Sequence, residues 1–205
     1  MVASQLVRRG ITDSAVLRAM SVVARELFVP VGSRQGSYED GPIPIGFGQT
    51  ISQPYMVALT CQLAGITPGA NVLDVGSGSG YQTAVLAELG ARVVGVELIP
   101  ELAARARESL EAAGYADRVD VHDGDGTLGI EEHAPYQAVV VAAAASRLPE
   151  TLVEQLEQGG RIVAPLGSAR GQWLRRSVAT PDGLQTKNVV RCRFVPLVGA
   201  GRFGR

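Results

Sequence analysis

The chain has 205 residues, 46% of them apolar, enough for one domain with a sizeable core. Its 19 basic and 20 acidic residues leave a net charge of −1 with no dense Lys/Arg block, which argues against a nucleic-acid platform. There is no N-terminal apolar h-region and no uncharged run of membrane-spanning length, so the expectation is a cytoplasmic protein without a membrane segment.

In chain order, residues 12–29 read as a helix. Thr12 or Asp13 caps it, Val16, Leu17, Met20, Val23 and Leu27 mark one face, and Pro30 stops it. Residues 31–52 are rich in Gly, Pro and Ser and read as loop. A helix over 53–65 follows, with Pro54 in its first turn and Gly65 at its end. Cys61 and Cys192 lie far apart, form no CxxC, and read as reduced thiols.

From residue 71 strands and helices alternate. Asn71–Val75, Arg92–Glu97, Arg118–His122, Gln137–Val141 and Arg161–Ala164 read as strands. Tyr81–Leu89, Pro100–Ala113 and Leu148–Gln158 read as helices, each followed closely by glycine. QAVVV at 137–141 lacks alternation, as a strand buried on both faces does. The alternation predicts an α/β fold: a doubly wound, mostly parallel sheet with helices on both faces. Residues 172–197 read as two more strands around Pro181-Asp182-Gly183, an antiparallel edge.

The most informative stretch is VLDVGSGSGYQTAVLAELGARVVGVE, residues 72–97. A buried strand enters Gly76-Ser77-Gly78-Ser79-Gly80, a helix follows, and a second strand ends in Glu97. Such glycines let a ligand approach the backbone, the helix start offers N–H groups, and an acidic residue ending the second strand suits ribose hydroxyls. The spacing is GxGxG, so the GxGxxG dinucleotide fingerprint is not met. Asp74 would repel a pyrophosphate and suits a cofactor carrying an ammonium, which S-adenosylmethionine does. Asp125 of Asp123-Gly124-Asp125-Gly126 falls on the same sheet edge and suits an adenine amino group. A solvated Asp-Gly turn is an equal reading of that segment alone, and the neighbouring glycine loop tips it toward ligand binding.

Taken together, RELFVP (25–30), PIPIGFGQTISQPYMVA (42–58), VLDVGSGSGYQTAVLAELG (72–90), GDGTLG (124–129), APYQAVVVAAAA (134–145), LPETLVEQLEQGGRIVAPLG (148–167) and RFVPLVG (193–199) resemble the protein-L-isoaspartate O-methyltransferase family. The resemblance covers nearly the whole chain. GQTISQP is far more specific to this family than the glycine loop. It implies a single methyltransferase domain, with 1–66 as a helical and substrate-loop extension and 67–205 as the cofactor-binding sheet with its C-terminal strands. It implies methyl transfer from S-adenosylmethionine to the α-carboxylate of L-isoaspartyl residues, whose ester then closes to a succinimide. No metal is implied. The partners implied are isoaspartyl-containing proteins and peptides, with no nucleic acid, no membrane and a monomeric enzyme.

Residue by residue, Ser52 matches the active-site serine, with Thr50, Ile51 and Gln53 beside it for substrate. Phe47, Gly48 and Gln49 match the stretch lying over the cofactor. Glu97 and Leu98 match the ribose site and Asp125 and Gly126 the adenine site, beside Asp74, Gly76, Ser77, Gly78 and Gly80, which the residues themselves already mark for the cofactor. The chain departs from the family's common pattern at VAAAAS (141–146), where VTAAAP is frequent, and in its short Gly/Arg tail.

A carboxyl group in free solution titrates at about pH 4, so the nucleophile is already ionised at neutral pH and no general base is required. His122 and His133 accordingly read as incidental and surface residues. From the residues alone, Ser52 also suits a helix cap before Gln53-Pro54. Three rivals stand beside repair: methylation of a normal aspartate in a dedicated peptide, a nicotinamide oxidoreductase, and a catalytically silent binding module. GxGxG and Asp74 oppose the oxidoreductase, and the intact loop with Asp74, Glu97 and Ser52 opposes the silent module.

Overall fold

The computed structural model describes residues 1–168 and 170–201. The end of the Gly/Arg tail, 202–205, lies outside the described residues. A sheet of seven strands has the order β5-β4-β3-β6-β7-β8-β9. Its strands are β3 (Asn71–Val75), β4 (Arg92–Glu97), β5 (Val119–Asp123), β6 (Tyr136–Val141), β7 (Leu156–Ser168), β8 (Gly171–Thr180) and β9 (Gly183–Cys192). The first five run parallel, and β8 and β9 add the antiparallel edge. Strand order reverses between β3 and β6. In open α/β sheets the crevice for ligands opens there, outside the carboxyl ends of the strands.

Alternate residues of β3 and β4 point to opposite faces. Val72 and Val93 join one hydrophobic cluster, and Leu73, Val75, Val94 and Val96 join the other. Burying each such side chain is worth about 1.5–3 kcal/mol, which is why runs like NVLDV settle as central strands. The first cluster takes side chains from α1 (Ser14–Val22), α2 (Pro54–Ala64), α3 (Tyr81–Glu88) and α4 (Pro100–Ala112). The second is closed by α5 (Glu150–Glu154) and residues 130–136. Among the described residues no helix is long and apolar enough to cross a membrane. Cys61 and Cys192 are both free.

Four sequence expectations change. The helix expected over 12–29 ends at Val22, and Arg25–Phe28 forms a 3-10 turn instead. The break turns Arg25 fully inward; its cap is the expected Asp13, which accepts from the N–H groups of Ala15 and Val16. The loop expected over 31–52 contains a hairpin, β1 (Ile43–Gly46) and β2 (Gln49–Ile51). The helix expected over 148–158 shrinks to α5, because β7 begins already at Leu156 beside Tyr136. Gly160 permits that: a Cβ there would meet the Glu157 carbonyl at 2.8 Å and the Tyr136 carbonyl at 3.0 Å. The strand expected over 161–164 therefore runs to Ser168.

Candidate active site

The β1–β2 hairpin folds its tip through three consecutive left-handed residues, Gly46, Phe47 and Gly48. Phe47 holds φ at 53°, which a bulky residue adopts only where its surroundings impose it. Arg105 of α4 supplies part of that constraint, donating to the Ile45 carbonyl at 3.4 Å and lying 5.6 Å from the Phe47 ring centre. The hairpin does face the glycine loop, since a Cβ on Gly78 would sit 3.5 Å from Ile45 Cδ1.

Ser52 follows β2 directly. Its hydroxyl does not cap α2: the cap position is Gln53, which uses its amide on Asp40 at 2.7 Å rather than on the helix. No hydrogen bond from the Ser52 hydroxyl occurs among the described residues. The backbone of Ser52 is gripped instead. Arg25, fully buried, donates from Nη2 to the Ser52 carbonyl at 2.7 Å and from Nε to the Ser37 carbonyl at 2.7 Å. Its guanidinium also lies 4.7 Å from the Tyr81 ring centre. Far along α2, Arg161 donates to the Ala64 and Gly65 carbonyls, fixing the other end of the helix that carries this loop.

Val75 leads into Gly76, Gly78 and Gly80, all left-handed. The amides of Gly76 and Ser77 donate to the Val96 carbonyl, Gly80 to the Ser77 carbonyl, and Gly78 to Glu97 Oε2 at 2.9 Å. These four loop amides are thus already used, while the N–H groups of Gln82 and Thr83 in the first turn of α3 have no acceptor among the described residues. A pyrophosphate would meet the Glu97 carboxylate there. Glu97 lines the cavity at only 7% exposure, and its other oxygen accepts from the Ile99 N–H. A close glycine backbone beside a carboxylate fits a nucleoside with ribose hydroxyls and a cationic group.

Asp74 stands behind this wall, fully buried. It accepts from Gln82 Nε2 at 2.8 Å and Thr83 Oγ1 at 2.7 Å, and Gln82 lines the cavity in its place. Burial pushes the Asp74 carboxyl up to about 6, against the opposing pull of the Thr83 and Gln82 hydrogen bonds. The folded value exceeds the unfolded one, so stability falls as pH rises from about 4 to about 6 and stays lower above that. Asp74→Asn should therefore gain about 1 kcal/mol more stability relative to the parent at pH 7.5 than at pH 5, read from paired thermal or urea melts. An identical difference at both pH values would refute the assignment.

The outer rim of the cavity is the segment Val195–Val198. It lies along Ala144, whose N–H donates to the Val195 carbonyl at 2.7 Å and whose carbonyl accepts from Leu197 at 2.8 Å. Thr50, Ser52, Ala142, Val195 and Pro196 border the cavity and also a second, outer groove of about 630 Å³. These shared residues form the wall between the inner cavity and the surface groove, and Ser52 stands in it.

The family model described as protein-L-isoaspartate(D-aspartate) O-methyltransferase matches residues 1–202. The chain belongs to that family. Curated relatives include the protein-L-isoaspartate O-methyltransferases of Gloeobacter violaceus, 49% identical over 96% of this chain and 96% of that one, and of Aeropyrum pernix, 52% identical over 95% and 77%. A Plasmodium falciparum structure described as a beta-aspartate methyltransferase in complex with S-adenosyl-L-homocysteine superposes with a TM-score of 0.84 at 28% identity, covering 96% of each chain.

Of the positions the isoaspartate methyltransferase resemblance picked out, Gln49, Thr50, Ile51, Ser52, Gly76, Ser77, Gly78, Glu97, Leu98 and Gly126 line the inner cavity. Phe47 and Gly48 stand at the hairpin tip outside it. Gln53 lies in the outer groove. Gly80 serves packing, because a Cβ there would press on Leu110 at 3.2 Å and Ala106 at 3.3 Å. Asp125 turns away from the cavity: it accepts from the Thr127 N–H and hydroxyl and from the Ala200 N–H. Only the backbone of its neighbour Gly126 reaches the cavity. His122 and His133 meet edge to face, ring centres 5.5 Å apart, and do not line it. Sequence reasoning missed Ile45, Gln82, Ala142 and the 195–198 rim. RFVPLVG was a visible signal for the last of these, but its place beside Ala144 depends on a long-range pairing.

Proposed function

We propose that this chain transfers methyl from S-adenosylmethionine to the α-carboxylate of isoaspartyl residues in proteins, starting their repair through a succinimide. The observation that carries the reading is the shared wall, with Ser52 bordering both the cavity and the groove. When bound, S-adenosylmethionine supplies an electrophilic methyl on a sulfonium. Glu97 would hold the ribose hydroxyls, the Gly76–Gly78 backbone would allow close approach, and the Gly126 backbone would stand on the base side. Asp74 acts through Gln82: by accepting from its Nε2 it would leave the amide oxygen for the ammonium of S-adenosylmethionine.

The nucleophile arrives already ionised, so this chain's task is positioning rather than proton removal. The Ser52 hydroxyl and the neighbouring backbone N–H groups orient the carboxylate with neutral donors. A cation in direct contact would hold the attacking electron pair more tightly. Arg25 contributes one peptide away, holding the Ser52 backbone rather than the substrate. Residues 1–66 serve as the substrate-side extension and 67–205 as the cofactor sheet of one domain.

The deciding assay is methyl incorporation from labelled S-adenosylmethionine into an isoaspartyl peptide and its aspartyl twin. Label is expected in the isoaspartyl peptide alone. Equal labelling, or labelling of the aspartyl peptide only, would replace repair with aspartate methylation.

A further inference from the structure

We infer that the groove outside Ser52 is built to favour isoaspartyl sites flanked by acidic residues. This rests on the isoaspartyl reading above and concerns which damaged segments that site takes first. The chain as a whole is slightly acidic, at −1. The groove is not. Among the described residues it is lined by Arg9, Arg191 and Arg193 and by no Asp or Glu. A neighbouring depression of about 580 Å³ shares Cys192, Arg193, Phe194 and Pro196 with it, adds Arg170, and again has no carboxylate side chain among the described residues. Both volumes are of the size that ligand pockets have. Four arginines without one acid, on a chain of balanced charge, make a local positive field around the substrate path.

The four are not equivalent. Arg9 is paired with Asp40 at 3.0 Å and lies 3.6 Å over the Tyr55 ring, so its charge is partly answered. Arg191 packs 5.1 Å from the Trp173 ring centre. Arg170 and Arg193 are exposed and make no ion pair among the described residues. Arg193 alone of the two borders both depressions, immediately before Phe194, whose N–H is held by Gln172 Oε1 at 2.7 Å. The unanswered charge therefore sits on one side of Ser52, toward β9 and the 194–198 segment. Acidic residues on the side of the isoaspartate that runs over Arg193 are the ones favoured. Because the contacts are solvent-exposed, the preference acts on encounter and KM and weakens with salt.

The experiment uses the full chain and isoaspartyl peptides of one length carrying two acidic, neutral or basic residues on either side. Each peptide is measured twice: by methylation with S-adenosylmethionine, and by anisotropy of a rhodamine-labelled copy. At low salt the acidic-flank peptide should exceed the basic-flank peptide about 5–10-fold in kcat/KM and in affinity, chiefly for one side, and the gap should close at about 0.5 M salt. Arg193→Glu should reverse the ranking, and Arg170→Glu, on a second exposed position, should reduce it. A flat ranking at low salt, or a ranking that Arg193→Glu leaves intact, overturns the inference. Failure of every isoaspartyl peptide to be methylated would instead overturn the repair reading, while the anisotropy series still tests the charge preference directly.

Discussion

Ser52→Ala is expected to lower kcat on an isoaspartyl peptide about 10²-fold while leaving cofactor affinity within about twofold, the loss typical of removing one positioned donor. Structure makes this variant informative. Had Ser52 been the cap of α2, its loss would have cost about 1 kcal/mol of stability and blurred any kinetic effect. The cap is Gln53, the Ser52 hydroxyl has no partner among the described residues, and Arg25 holds the Ser52 carbonyl, which alanine keeps. The folded state should therefore be nearly unchanged, and a thermal melt run beside the kinetics checks that. Turnover near the parent's would remove Ser52 from the positioning role and leave orientation to the backbone of the loop.

The second large effect concerns Glu97. Its two oxygens accept from the Gly78 and Ile99 N–H groups at 2.9 and 3.0 Å, and both bonds are made at the floor of the cavity. Glu97→Gln keeps the shape but puts an NH₂ against one of those donors and removes the charge. Hydrogen bonds to a charged group are worth about 1.5–3 kcal/mol, so affinity for S-adenosylmethionine and S-adenosylhomocysteine should fall about 10- to 100-fold by calorimetry. Turnover at saturating cofactor should change much less than affinity does. Unchanged binding would show that Glu97 serves only to shape the glycine loop.

The Ser52 and Glu97 effects separate cleanly because the two residues stand on different elements. Glu97 ends a central strand, where burial on both faces leaves little freedom. Ser52 follows a hairpin pinned by Arg25 and Arg105, two arginines from distant segments. Asp74 belongs to neither group: it is a buried carboxylate whose charge reaches the cavity only through Gln82. A variant there mixes stability with binding, which is why its test is a difference between two pH values.

Much of this was legible in the residues themselves. NVLDV and RVVGVE coincide with β3 and β4 because an uninterrupted apolar run between turn signals has one low-energy use, as a strand buried on both faces. Asp13, Pro54 and Gly65 mark helix ends through contacts within a few residues, so local chemistry suffices there. GxGxG followed by Glu97 located the inner cavity for the same reason. What the chain did not disclose were choices set by partners far away in sequence. Asp74 and Asp125 had the right type and position, yet each turns to donors that pack behind or beside the cavity. The β1–β2 hairpin offers only Ile43, Ile45 and Ile51 as its apolar face, too short an alternation to stand out in a Gly/Pro-rich stretch, and the core that buries these residues comes from distant segments. The groove's arginines come from residues 9, 191 and 193, with Arg170 in the neighbouring depression, and contacts between segments far apart in the chain bring them together. Local periodicity and turn chemistry thus determined the sheet, its order of elements and the cofactor edge. Side-chain direction, the wall that joins cavity to groove, and the charge of the substrate path were decided by tertiary contacts, because a carboxylate or guanidinium goes to whichever buried partner the fold brings within reach.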